Sequence, residues 1–393
     1  MLVNDFIIRK IRNVPDDILP YSNSLQVVLN LNTKIFNGQG VSAAIFIEDK
    51  GFWTGASGLS ETGKPADPDM LFNIASIGKN FLAALVLQLV EENRLSLDDS
   101  ISKWDLGSST IDESITVRQL LNHTSGIYDW VAHEQSPFSV PYKNIDYTKI
   151  WSYEEILTHL SGNPYFPPGN GWRYSTTNYN VLKIITEEIT GIPVSVHIRE
   201  RFLKPLDLKS TIAVDIDSHI PSQPEIAHGW FDVNGDGEPE DISGDPQSWI
   251  ISMSPHMMYA SSLDLAKWSQ ALYGGQVLSE SSLQEMLDFH RPVTDEPPIT
   301  GYGLGTEEIS FAWLIRPYGH LGYHYGYMAA MLYFPKRNTS LVVLTNENNP
   351  SFQYGAAFGV IIMMTFGQLR YIIISVLIIL FTVLWRNSIR QKG

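Results

Sequence analysis

The chain has 393 residues, 44% of them hydrophobic and 18% charged, which is ample for a large core and excludes wholesale disorder. Its 27 Lys and Arg stand against 42 Asp and Glu, and the resulting formal charge of −15 repels phosphate backbones, so nucleic acid is excluded as a partner. With no cysteine there are no disulfides, thiol nucleophiles or thiolate metal sites, and the redox compartment stays open.

The N-terminus, "MLVNDFIIRKIRNVPDDILPY", has no apolar core of signal-peptide length and carries Arg9, Lys10 and Arg12 directly after "FII", so no cleavable signal is expected. Residues 1–19 read as an extension and 20–368 as the folded domain. An amphipathic helix is expected over 24–37, then "VSAAIFIED" and "GFWTGASGL" as two strands joined at "DKG". Helical spacing runs from Ser76 to about Asn93, and "TVRQLLNHTSGI" predicts a short helix ending at Gly126. From Tyr128 to Pro168 aromatics and prolines recur without a period, which predicts a looped, partly helical wall over a cleft. "STTNYNVLKIITEEITG" predicts a helix with Gly191 just past its end. "YMAAMLYFP" and "SLVVLTN" form a hairpin across "KRNT", followed by a helix over "FQYGAAFGVIIMMTFG". Strands at both ends with helices between them fit one sheet built from two distant segments and an inserted helical region.

Residues 369–393 read as a C-terminal hydrophobic helix with a basic tail. "YIIISVLIILFTVLW", 371–385, is uncharged and precedes Arg386, Arg390 and Lys392. As a helix it spans roughly 22 Å against a hydrocarbon core of ~30 Å, so it crosses only if its flanks contribute, with Arg370 snorkelling. A membrane anchor with the domain outside is the expectation, because basic tails stay cytoplasmic. A buried terminal helix is the alternative, and the missing signal leaves a cytoplasmic location open.

Three stretches carry candidate chemistry. In "LFNIASIGKNFLAALVLQLVEENRLSLDD", Ser76 and Lys79 lie three apart at a helix start, hence on one face roughly 5–6 Å apart. An apolar setting would keep the lysine neutral enough to take a proton; the plain alternative is an N-cap serine and an exposed first-turn lysine. Ser100-Ile101-Ser102-Lys103 matches the same pattern, so the pattern alone decides nothing. In "FPPGNGWRYSTTNY", Tyr174 stands just before a helix, where a phenol near a lysine can shuttle protons and can equally be a packed aromatic. In "YGHLGYHYGYMAAMLYF", His320 supplies a polar or cationic side chain, and Gly322 lets a backbone approach closely before a strand hairpin.

In order and spacing these stretches resemble the serine β-lactamase and penicillin-binding family, especially its class C β-lactamase, D-alanyl-D-alanine carboxypeptidase and esterase branch. The phrases "LFNIASIGK", "LQLVEENRLSLDDSISKW", "ITVRQLLNHTSGI", "PGNGWRYSTTNYNVL", "YGLG" and "GHLGYHYGY" carry the resemblance over roughly residues 20 to 366. It implies an α+β, β-lactamase/transpeptidase-like fold: an antiparallel sheet flanked by helices with an inserted all-helical region. It implies that Ser76 attacks a carbonyl to form an acyl-enzyme, with Lys79 and Tyr174 handling its proton. The N–H groups of Ser76 and Tyr323 would form the oxyanion hole. No metal or organic cofactor is implied, and the partner is a small-molecule or peptide-like acyl substrate; the sequence does not set the oligomeric state.

Two departures qualify the substrate. His320 stands where lactamases usually keep Lys, which argues against a dedicated β-lactamase. Tyr174-Ser175-Thr176 replaces the usual Tyr-Ser-Asn or Tyr-Ala-Asn, so Thr176 offers a hydroxyl where a side-chain amide would hold the substrate, while Asn178 reads as structural. The expectation is a serine hydrolase acting on an ester or a D-amino-acid-type amide. The alternatives are a D,D-carboxypeptidase or β-lactamase, or a catalytically silent ligand-binding member. Finally, "DVNGDGEPEDIS", with Asp232, Asn234, Asp236 and Gly237, opens like a calcium loop but has Ser243 where the bidentate Glu belongs, so a solvated acidic turn is expected.

Overall fold

Alternation along the first strands sets the layers. The computed structural model describes residues 22–48, 50–106, 111–129, 163–214, 225–232, 234–243, 258–290, 298–310 and 316–366. The extension at 1–19, most of the stretch from Tyr128 to Pro168 and the apolar segment 371–385 lie outside the described residues.

Helix α1 (Ser22–Phe36) leads into β1 (Gly40–Ile47) and β2 (Gly51–Glu61), the hairpin expected at that place, followed by the short β3 (Lys64–Pro65) and β4 (Phe72–Asn73). A 3₁₀ turn, Ala75–Ile77, opens α2 (Gly78–Glu91). Helix α3 (Val117–Leu121) starts on a capping box formed by Thr116 and Gln119. It stops at Leu121 rather than at Gly126, because His123 turns the backbone into the left-handed region at φ +62°. Helix α4 (Thr176–Thr190) ends on Gly191 at φ +68°, as its sequence anticipates. Then come α5 (Val194–Ile198), β5 (Thr211–Ala213), the hairpin β6 (Trp230–Phe231) and β7 (Glu240–Asp241), and β8 (Met258–Ala260). Helices α6 (Ser262–Tyr273) and α7 (Glu280–Met286) precede β9 (Ile299–Tyr302), β10 (Glu307–Ile309), β11 (Tyr318–His324), β12 (Tyr327–Phe334) and β13 (Thr339–Thr345). The last described element is α8 (Pro350–Phe366).

Eight strands form one antiparallel sheet in the order β3-β2-β1-β13-β12-β11-β10-β9, so the first and last strand groups meet where β1 pairs with β13, Ala44 opposite Val342. This is the α+β, β-lactamase/transpeptidase-like architecture with flanking helices that the resemblance implies. Side chains leave a strand to alternate faces. Val41, Ala43 and Ile45 therefore pack with Leu25, Val28 and Leu29 of α1 and Phe352, Ala356 and Val360 of α8, while Ala44 and Phe46 join Phe81 of α2 and Trp268 of α6 on the other face. Helix α2 is buried on every side from Gly78 to Leu89, which an all-round apolar sequence requires. Among the described residues no helix is long and apolar enough to cross a membrane.

Candidate active site

The nucleophile turn is held by its own neighbours. Asn73 accepts the N–H of Ala75 on Oδ1 at 2.8 Å, and Ala75 takes φ +50°, a conformation that a non-glycine residue keeps only when its surroundings enforce it. Ser76 sits in the 3₁₀ turn and Lys79 in the first turn of α2, with Lys79 Nζ donating to Ser76 Oγ at 3.0 Å. Lys79 is 1% exposed and Ile77, not Ser76, occupies the N-cap of α2, so neither residue is a plain helix-start feature. The other Ser-x-x-Lys match behaves differently. Ser100 caps a 3₁₀ turn by accepting from Ser102 N–H, and its exposed Lys103 pairs with Asp99.

Burial drives the Lys79 pKa from 10.5 down to about 7, against the opposing pull of Asp129 and Glu307, both buried carboxylates. A large neutral fraction is thereby present at neutral pH. Tyr174 places its ring centroid 5.0 Å from Lys79 Nζ. Its hydroxyl is buried without a hydrogen-bond partner among the described residues, although Ser76 lies near enough to pull its pKa downwards in opposition to burial. Burial wins and raises the phenol well above its usual range, so Tyr174 is a protonated donor beside an amine that is neutral in a large fraction of molecules at neutral pH.

Strand β11 supplies the third wall. His320-Leu321-Gly322 lies inside this strand, not ahead of it. A Cβ at Gly322 would fall 2.5 Å from the Ile74 carbonyl and 3.2 Å from Ala75 Cβ, so the missing side chain is what lets the strand lie against the nucleophile turn. Glu307 accepts the Leu321 N–H on Oε2 at 2.8 Å, which shows that this N–H leaves the strand on the side away from β12. N–H directions repeat every second residue along a strand, so that of Tyr323 points to the same edge. Beyond Gly319, β11 has no register partner in β10 among the described residues. The Tyr323 side chain is 55% exposed, and by strand alternation it leaves the sheet on the face opposite that on which Gly322 meets the turn.

His320 is fully buried, and burial lowers its pKa to about 3; it is neutral, which removes the cationic half of the expectation for this position. Its Nδ1 lies 2.6 Å from the Leu321 carbonyl and must carry the proton, so Nε2 accepts from Tyr302 Oη at 3.0 Å. Thr176 is the buried first residue of α4. Asn178 is buried as a structural link, accepting from Ser125 Oγ at 2.6 Å and facing His123 Nδ1 at 3.0 Å. The acidic turn saturates itself: Asp232 accepts from the N–H groups of Gly235, Asp236 and Gly237, and no cluster of metal-ligating side chains occurs among the described residues.

Asp129, Glu307, His123 and Tyr302 were not legible as site residues. Asp129 and His123 belong to "NHTSGIYD" and Tyr302 and Glu307 to "YGLGTEE", and neither phrase has a spacing that announces a carboxylate, imidazole or phenol beside Lys79.

Comparison with known proteins bears on the family and the fold. Residues 36–361 match the family model described as Beta-lactamase. Penicillin-binding protein 4* of Bacillus subtilis is 24% identical over 322 residues, 78% of this chain and 67% of that protein. The chain spans about two thirds or less of the length of the curated relatives it matches. A D-stereospecific amidohydrolase from Streptomyces sp. superposes with a TM-score of 0.74 at 27% identity, covering 86% of this chain and 99% of that one. The D-amino acid amidase of Ochrobactrum anthropi SV3 superposes with a TM-score of 0.74 at 26% identity, covering 86% and 98%.

Proposed function

The chain belongs to the β-lactamase family, and from that premise we propose that it is a serine hydrolase that cleaves a D-amino-acid-type amide or an ester through an acyl-enzyme. The observation that carries this is the buried Lys79 amine 3.0 Å from Ser76 Oγ. Neutral Lys79 takes the Ser76 proton as Oγ bonds to the substrate carbonyl carbon, and the carbonyl electron pair moves onto oxygen. The N–H groups of Ser76 and Tyr323 stabilise that oxyanion; elsewhere each such donor contributes about 2.7–4 kcal/mol. When the tetrahedral centre collapses, the leaving amine or alcohol takes the Tyr174 proton while Tyr174 recovers one from the Lys79 ammonium. Water then adds to the ester and releases the acid and Ser76.

The D-amide part of the reading is supported by the two amidohydrolases of similar fold, whose names state D-stereospecific and D-amino acid substrates. Reaction of the protein with a fluorophosphonate and with a fluorescent penicillin, followed by mapping of the label, tests the mechanism. Label on Ser76 is expected from the fluorophosphonate. Failure of both reagents would make the chain a silent ligand-binding member, and strong penicillin label would favour a carboxypeptidase or β-lactamase. Faster turnover of D- than L-amino acid amides is the expected stereochemical result.

The apolar stretch 371–385 and the basic residues after it support a membrane tether with the hydrolase domain outside. The full chain should sediment with membranes and a chain ending at Phe366 should not. Both in the supernatant would overturn the tether.

A further inference from the structure

His123 holds both flanks of Tyr174. Its carbonyl accepts the N–H of Arg173 at 3.1 Å, and its ring Nδ1 accepts the N–H of Ser175 at 3.2 Å. The residue between those two donors is Tyr174. The imidazole lies against the phenol with ring centroids 4.3 Å apart and against Tyr302 at 4.7 Å. Asn178 Nδ2 also approaches Nδ1, at 3.0 Å, and is itself fixed through Ser125. With backbone and amide donors both directed at Nδ1, that nitrogen is an acceptor and the ring proton sits on Nε2. Nε2 is buried without a hydrogen-bond partner among the described residues, so the hydrogen bonding of the imidazole is concentrated on the segment that carries Tyr174.

The backbone of His123 supports the same reading. At φ +62° it occupies a region that non-glycine residues visit at a penalty, and that turn is what ends α3 and aims both acceptors at 173–175. A residue needed only to fill space would require neither the strain nor an acceptor at the δ position. We propose that His123 is a positioning residue for Tyr174: through its carbonyl and Nδ1 it fixes the phenol against Lys79 and Ser76, without touching substrate itself. This rests on Tyr174 serving the acyl-transfer chemistry proposed above.

The test compares the full-length wild type with His123→Phe and His123→Asn. Phe keeps ring volume and removes the acceptor; Asn keeps an acceptor at the δ position and tolerates left-handed backbone. Fluorophosphonate labelling rates, kcat and KM on a chromogenic ester, and thermal unfolding are measured on each. The expected result is a drop of roughly 100-fold in kcat for His123→Phe with KM little changed, the scale seen when a catalytic group is misplaced by about 1 Å. His123→Asn should recover to within ~10-fold of wild type. If His123→Phe fails to fold, His123→Gln, which moves the acceptor one bond outwards, takes its place as the loss variant. A folded loss variant that acylates at the wild-type rate overturns the proposal, as does His123→Asn reacting no faster than the loss variant. An unlabelled wild type instead removes the hydrolase reading and this inference with it, whereas a labelled wild type with equal variants removes this inference alone.

Discussion

The amine of Lys79 and the hydroxyl of Ser76 are hydrogen-bonded at 3.0 Å in a turn where the lysine is sealed from water. Replacing Lys79 by Met should leave the fold intact, because the aliphatic stem already fills apolar space. It should slow acylation of Ser76 by ~10²–10⁴-fold, the range for loss of a general base. Circular dichroism with stopped-flow labelling checks both halves, and unchanged labelling would mean that another group takes the proton.

The same desolvation sets a pH dependence in rate and in stability. Lys79 must be neutral to act, so acylation should rise with pH along a limb centred near its pKa of about 7. In the unfolded chain the amine returns to its ordinary value of 10.5, so between about 7 and 10.5 the unfolded state binds more protons than the native one. Stability therefore rises with pH across that window. Relative to Lys79→Met, the wild type should be most penalised at or below pH 7, and the gap should close towards pH 10.5. Denaturant melts of the two proteins at several pH values measure it; a gap that stays constant would show that Lys79 is not desolvated.

On the acid side two desolvated imidazoles act, that of His320 fully buried and that of His324 half-buried with its Nε2 out of reach of water. Burial lowers the pKa of His320 to about 3 and that of His324 to about 4, whereas both return to 6.5 on unfolding. From pH 6.5 downwards the unfolded chain takes up protons that the native state refuses, so stability must fall as pH falls through that window. Thermal unfolding between pH 7 and pH 4 should show the decline, and His324→Gln should flatten it. Parallel slopes for wild type and variant would mean that His324 is solvated.

The sheet and its helices were legible because the short, mostly apolar "VSAAIFI" and the apolar run "FLAALVL" after Lys79 state their own burial. Helical spacing put Ser76 and Lys79 on one face without singling them out, and it was the family resemblance that marked Ser76, Lys79, Tyr174 and Gly322. What could not be read is set by contacts between distant segments. The choice between Ser76-Lys79 and Ser100-Lys103 depends on burial, which the four-residue pattern does not encode. His320 looked able to carry charge because nothing in "GHLG" shows that Tyr302 and Leu321 saturate its two nitrogens in a dry interior. The end of α3 was misplaced because a left-handed histidine is rare enough that no local rule expects it.

Gly322 is where strand and nucleophile turn meet most closely. The Cβ of Gly322→Ala would lie 2.5 Å from the Ile74 carbonyl oxygen and 3.2 Å from the Cβ atoms of Ala329 and Ala75, leaving no flexible side-chain end to move aside. The strand must back away, separating the N–H groups of Ser76 and Tyr323. Loss of one oxyanion donor corresponds to roughly 10²–10³ in kcat, and that is the expected fall. Ester KM should change far less, since ground-state contacts survive. Full activity in Gly322→Ala would show that Tyr323 is not an oxyanion donor.

Thr176 tests which acyl group the site prefers. It is the first residue of α4, two positions beyond Tyr174, and presents a hydroxyl where family members with peptide and β-lactam substrates usually present an amide. Thr176→Asn lengthens the side chain and replaces one O–H donor with the two N–H donors of an amide at the start of α4. One added neutral hydrogen bond is worth about 0.5–1.5 kcal/mol, or roughly 2–10-fold in rate if it forms only as the acyl group docks. Acylation by penicillin or a D-amino acid amide should therefore rise by that factor relative to a simple ester, which has no amide carbonyl to hold. The ratio of the two rates, rather than either alone, is the measurement, because it cancels changes in Tyr174 placement. A ratio that does not move would separate Thr176 from substrate recognition and leave pocket shape to set the choice of acyl group.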